Sequence, residues 1–164
     1  MPDHCCRIRT TEERDFPAIL EMLDELLGFE QDFAPDPIKQ RRALRMLLAR
    51  DESTIFTAEN PATGEVLGHC SVQLLVSSCE GAYSGLIEDI VVIPAARGQG
   101  IGTQLLEAAI QWSVKHGATR MQLVCDDQNP TAARLYEHLG WERVHLWTYF
   151  LFPQKKGSHG WNHD

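Results

Sequence analysis

Arg97-Gly98-Gln99-Gly100-Ile101-Gly102, preceded by Val92-Ile93-Pro94, is the stretch on which the reading of this chain turns. Upstream, residues 86–93 form an apolar run of strand character that Pro94 ends. Downstream, residues 100–116 place Ile101, Leu105, Ala109 and Trp112 on one helical face, and Gly117 stops the helix. A glycine cluster at a strand-to-helix junction aims unpaired N–H groups outward, where the helix dipole also favours negative charge. Glycines let phosphate oxygens reach the main chain without a Cβ in the way. The spacing removes two nucleotide sites. A dinucleotide GxGxxG would need glycine at 103 or 105, where Thr103 and Leu105 stand, and no Lys follows Gly102 as a P-loop requires. A diphosphate site without an evident magnesium ligand remains, which points to a CoA-like cofactor.

Farther out, Asn129-Pro130-Thr131-Ala132-Ala133-Arg134-Leu135-Tyr136 and Gly140-Trp141 form a second informative stretch. Together with Arg-x-x-Gly-x-Gly at 97–102 and the preceding Val92-x-Pro94, it resembles the two motifs of the GCN5-related N-acetyltransferase superfamily. The resemblance extends over nearly the whole chain, since Ile8-Arg9 and the acidic first helix also fit. It implies acetyl-CoA as the acyl donor and a sheet that splays beside the strand before the glycine turn. The pantetheine arm would lie along Ile90, Val91 and Val92, pairing with their main chain while their side chains pack as a buried strand. Gly98, Gln99, Gly100, Ile101, Gly102 and Thr103 would hold the pyrophosphate through main-chain N–H groups, with a charge-assisted contact from Arg97. Asn129 would bond the cofactor arm, although an Asn before Pro also opens turns. Tyr136 would donate a proton to the departing thiolate.

The acceptor half is less determined. An amine must lose a proton before it attacks, and a carboxylate acting through water could take it. Glu88 and Asp89 adjoin on the strand, so regular alternation sends them to opposite faces. The resemblance favours Glu88 as base or amine-positioning group, with Asp89 the alternative. It also places Glu30 and Asp32 where relatives receive substrate. Trp147 and Tyr149 could line the acceptor pocket or a homodimer interface.

The rest of the chain supplies the frame. Residues 5–9 read as a first strand. Asp15 reads as the N-cap of a helix with Pro17 in its first turn, an apolar stripe at Ile19, Leu20, Leu23, Leu26 and Leu27, and a stop at Gly28. A loop over 29–37 precedes a helix over 38–49, with Leu44, Leu47 and Leu48 inward. Residues 54–58 and 66–76 read as a hairpin, 119–124 as a short strand, 131–139 as a helix and 141–152 as one or two closing strands. The expected fold is α+β, with a mixed, largely antiparallel six- to seven-stranded sheet flanked by helices. One domain spans 1–152, and residues 153–164 form a polar tail.

Bulk properties bound the partners. With 23 acidic against 15 basic residues the net charge is −8, which argues against nucleic acid and is compatible with a cationic small substrate. The five cysteines form no CxxC pair and suit reduced, buried thiols, while His159 and His163 are too sparse to argue for metal. The opening Met1-Pro2-Asp3-His4-Cys5-Cys6 has no apolar leader, and no run approaches the roughly twenty apolar residues of a membrane helix, so a cytoplasmic protein without a membrane partner is expected. The expected activity is acetyl transfer to a primary amine of a small cationic substrate. Alternatives are an amino-sugar or protein N-acetyltransferase and, in another class, a non-catalytic acetyl-CoA sensor.

Overall fold

The computed structural model describes residues 6–28 and 35–150. Among these, β1 (Arg7–Thr10), β2 (Ser53–Glu59), β3 (Val66–Ser77), β4 (Ala82–Val92) and β5 (Ala118–Leu123) form a five-stranded sheet in that order. The pairs from β1 to β4 are antiparallel. β5 joins β4 in parallel because a helix, α3 (Ile101–Lys115), returns the chain to the same end of the sheet.

The sheet has a core on each face. On one, Ile101, Leu105, Leu106 and Ala109 of α3 pack with Ala58, Cys70, Val72 and Ile87. Leu135, Tyr136 and Leu139, carried by α4 (Pro130–His138) and its C-terminal end, close the margin of this cluster. On the other face, Phe16, Ile19, Leu20 and Leu23 of α1 (Phe16–Gly28) and Leu44 of α2 (Pro37–Leu48) surround Ile55. Gly68 lets α3 lie close on β3. A Cβ there would meet the Val91 carbonyl oxygen at 2.6 Å and Leu105 at 3.3 Å.

Two expectations are revised. Asp15 is not the N-cap of α1; it ends a 3₁₀ turn, Glu13–Asp15, that leads into the helix. Its carboxylate accepts the Glu12 N–H at 2.8 Å and a bidentate pair from Arg9 at 2.7 and 2.8 Å. Arg9 also bonds Glu59, so one guanidinium joins β1, β2 and the start of α1. The second revision concerns the closing strands. Residues 141–150 form no strand, and Val144, Leu146, Trp147, Tyr149 and Phe150 are exposed. The sheet therefore has five strands among the described residues rather than six or seven. The thiols also divide by position: Cys70 is buried and Cys79, in the β3–β4 turn, is exposed.

Candidate active site

The site begins where the sheet comes apart. β5 pairs with β4 from Tyr83↔Ala118 to Ile87↔Leu123 and then ends. Residues 88–92 of β4 keep β3 on one side but have no strand partner on the other among the described residues. A cavity of about 660 Å³ occupies this gap, lined by Ile90, Val91 and Val92, by the glycine turn, and by Asn129, Leu135 and Tyr136 across from them. An unpaired strand edge presents main-chain donors and acceptors to an extended polar arm.

At one end of the cavity the chain turns through Gly98 (φ +76°) and Gly100 (φ +77°) into α3. Both are left-handed, and nothing lies within 4 Å of a Cβ built on either. Gly100 occupies the N-cap of α3 and offers no side chain to the first-turn N–H groups. α2 and α4 differ: Asp36 accepts from the N–H groups of Ile38 and Lys39, and Asn129 from that of Ala132. α3 thus begins with bare donors beside open glycines, a fit for a diphosphate. Arg97 is engaged with the protein itself, donating to the Val92 carbonyl at 2.9 Å and pairing with Glu25 at 3.2 Å. It pins the turn to the end of β4 and to α1. Gln99 does not line the cavity; its side chain donates to the Ala95 carbonyl.

Glu88 and Asp89 lie on β4 immediately before the cavity-lining residues. The sequence-based expectation of opposite faces does not hold, because β4 is bulged there. Cys70 pairs with Ile90 and Val72 with Ile87, so Ser71 alone opposes both acids. Ile87 and Ile90, three apart, both pack into the α3-side core. Ser71 and Gln73 share the other face of β3; Ser71 bonds Asp89 at 3.1 Å and Gln73 bonds Glu88 at 3.2 Å. Both carboxylates thus share the Ser71 and Gln73 face, Asp89 half-buried and Glu88 exposed.

Tyr136 faces the same cavity from α4, with its ring 6.1 Å from that of Trp141. Burial pushes its phenol up to about 12, and the Cys125 and Cys70 thiols add to the push. The hydroxyl therefore carries its proton at neutral pH. Asn129 also lines the cavity, and its side-chain oxygen caps α4 through the Ala132 N–H at 3.1 Å. Glu30 and Asp32 lie outside the described residues. Among the described residues no group of His, Cys, Asp and Glu could hold a metal ion, and no helix is long and apolar enough to cross a membrane.

Residues 16–141 match the Acetyltransferase (GNAT) family. The chain belongs to the GNAT acetyltransferase family. It is 34% identical to a thialysine N-epsilon-acetyltransferase of Mus musculus over 144 residues, covering 82% of each chain. Among solved structures, a transcriptional regulator from Bacillus halodurans C-125 superposes with a TM-score of 0.79 at 30% identity, covering 90% of this chain and 99% of that one. An aminoglycoside N-acetyltransferase in complex with CoA shares the fold, with a TM-score of 0.77 at 18% identity, covering 90% of this chain and 95% of that one.

The chain is thus an N-acetyltransferase that uses an acyl-CoA. The GNAT cavity gathers most of the residues singled out in the sequence. It also draws in Glu25 and Leu26 from the end of α1, and Thr131, Ala132 and Leu135 from α4. The α4 residues sit inside the stretch from Asn129 to Tyr136. Glu25 and Leu26 carried no local signal, since only the packing of α1 over the sheet brings them to the turn 72 residues away.

Proposed function

We propose that this GNAT chain transfers an acetyl group from acetyl-CoA to the primary amine of a small cationic substrate. The carrying observation is the cavity between the edge of β4 that β5 leaves open, the bare N-terminus of α3 and Tyr136. When bound, acetyl-CoA supplies an activated carbonyl and a thiol leaving group. Residues 90–92 hold its arm by the main chain, and the α3 N–H groups hold its diphosphate. Tyr136 gives its phenolic proton to the sulfur as the C–S bond breaks. The amine surrenders a proton, through water, to the Glu88–Asp89 pair, with Glu88 as base or amine-positioning group and Asp89 as its neighbour. The preference for a cation rests on the net charge of −8 and on this carboxylate pair. Glu21, Glu25 and Glu65 add acidity around an adjoining hollow of about 470 Å³.

A panel of thialysine, lysine, spermidine, an aminoglycoside, glucosamine 6-phosphate and an aminoalkylphosphonate, assayed for thiol release, tests the assignment. Turnover confined to the cationic amines is expected; turnover of only the phosphate-bearing amines would refute the preference. Thiol release with no member of the panel, despite acetyl-CoA binding, would favour a sensor. Glu88→Gln and Asp89→Asn assign the base: the variant with the larger loss in kcat/KM for the amine identifies it. The exposed apolar stretch at 144–150 supports association of two copies through Trp147 and Tyr149. A monomer by sedimentation, unchanged by Trp147→Glu, would rule that out.

A further inference from the structure

Ser71 takes no part in the cavity, yet it is the one β3 residue that opposes both acids. The extra residue of a bulge leaves a main-chain group without its ladder partner. At this bulge the Asp89 N–H donates to Ser71 Oγ at 3.2 Å, and the same hydroxyl donates to Asp89 Oδ2 at 3.1 Å. One side chain thus accepts the main-chain N–H at the bulge and bonds the carboxylate of the same residue. Ser71 is 2% exposed, so water competes poorly for either bond.

We propose that Ser71 is a positioning residue for the acceptor-side carboxylates, holding the bulge that keeps Glu88 and Asp89 on one face. The proposal rests on the reading of that pair as the groups that receive the amine's proton. The chemistry follows from strand phase. Without the bulge, alternation would return one of the two acids to the α3-side core, where Ile87 and Ile90 pack. A regular strand would also leave Ser71 one opposing residue instead of two. The hydroxyl ties this local shift to Asp89 itself, while Gln73 holds Glu88 alongside. Downstream, the pairs His69↔Val91 and Gly68↔Val92 restore the regular ladder, so the cofactor-facing edge is held independently of Ser71.

The test compares Ser71→Ala, Ser71→Val and Ser71→Thr with the wild type, using acetyl-CoA and the best acceptor of the amine panel. Ala and Val remove the hydroxyl, Val at nearly the volume of Thr, and Thr restores it. The expected result is a loss in kcat on the order of tenfold or more for Ala and Val. The acetyl-CoA Kd should change by less than about threefold, because the main-chain edge that binds it is intact, and Thr should lie near wild type. Full activity in Ala and Val, or a Thr variant as slow as they are, would overturn the proposal. Amide hydrogen exchange in the wild type gives a readout that needs no variant to fold: the Asp89 N–H should be protected, and rapid exchange would overturn the assignment. The double variant Glu88→Gln/Asp89→Asn separates the two ideas. Wild-type turnover there means that the carboxylate reading has failed; a crippled double variant beside fully active Ser71→Ala and Ser71→Val means that the positioning role has.

Discussion

Tyr136 and His69 show how burial acts in opposite directions on two side chains. At Tyr136 it raises the phenol to about 12, so the neutral form is favoured and the hydroxyl is a weaker acid than that of an exposed tyrosine. Tyr136→Phe should lower kcat on the order of a hundredfold, as expected for loss of a general acid. The acetyl-CoA Kd should hardly move, since the ring and its contact with Trp141 remain. Isothermal titration beside steady-state assays checks both; equal kcat in the variant would remove Tyr136 as the acid. His69, fully buried on β3, has no hydrogen-bond partner among the described residues for either ring nitrogen, and burial holds its pKa at about 4. The unfolded chain therefore takes a proton between pH 6.5 and 4 that the folded chain refuses. Stability falls as pH drops through that window, by up to about 3 kcal/mol from this group. His69→Phe should flatten the fall, which denaturant melts at pH 7.5 and 4.5 would show. Parallel profiles would mean that His69 does not carry it.

The elements carry a different kind of constraint. α3 begins on Gly100 at φ +77°, a conformation that costs an L-residue about 1–2 kcal/mol. A Cβ at Gly100 meets no atom of the described residues within 4 Å, so Gly100→Ala should leave the fold intact with a small loss of stability. The methyl group would stand where a phosphate oxygen must approach, and acetyl-CoA affinity should fall on the order of tenfold. Unchanged affinity would place the diphosphate elsewhere. The junction of β1, β2 and α1 depends on Arg9, whose guanidinium faces the buried carboxylates of Asp15 and Glu59. Arg9→Met strands the Asp15 carboxylate, while Glu59 keeps its ion pair with Arg7, and should destabilise the fold by about 3–5 kcal/mol. Arg9→Lys should recover little, because an ammonium cannot bond a carboxylate bidentately while reaching the second. Chemical denaturation of both variants checks the pair.

At the scale of the molecule, ligand binding and folding are linked. Acetyl-CoA at about one hundred times its Kd should add about 2.7 kcal/mol to the unfolding free energy, provided the unfolded chain does not bind it. For a chain of this size that is a rise in Tm on the order of 5–10 °C. No shift at millimolar acetyl-CoA would contradict the cofactor assignment, and desulfo-CoA serves as a control for the thiol. The splayed sheet makes this linkage direct, because the bound arm would occupy the edge of β4 that β5 leaves open.

Local pattern and tertiary contact divided the work along a physical line. The glycine turn, the Asn-to-Tyr helix and the apolar stripes of α1 and α3 were legible because backbone freedom, capping and periodicity act within a few residues. Together they specified the α+β class and most of the residues that line the cavity. The strand propensity of residues 141–150 was legible too, but a strand exists only when another edge accepts its hydrogen bonds, and no partner for it lies among the described residues. The bulge at Glu88 and Asp89 was hidden for a related reason. Alternation predicts opposite faces for adjacent residues, and only pairing with β3 shows that Ser71 opposes both. Short-range pattern alone therefore carried the glycine turn ahead of one helix and the Asn and Tyr of another. The tertiary structure decided where β5 stops, which opens the cavity, and which way the two carboxylates face, because hydrogen-bond register is a property of two strands together and is written in neither alone.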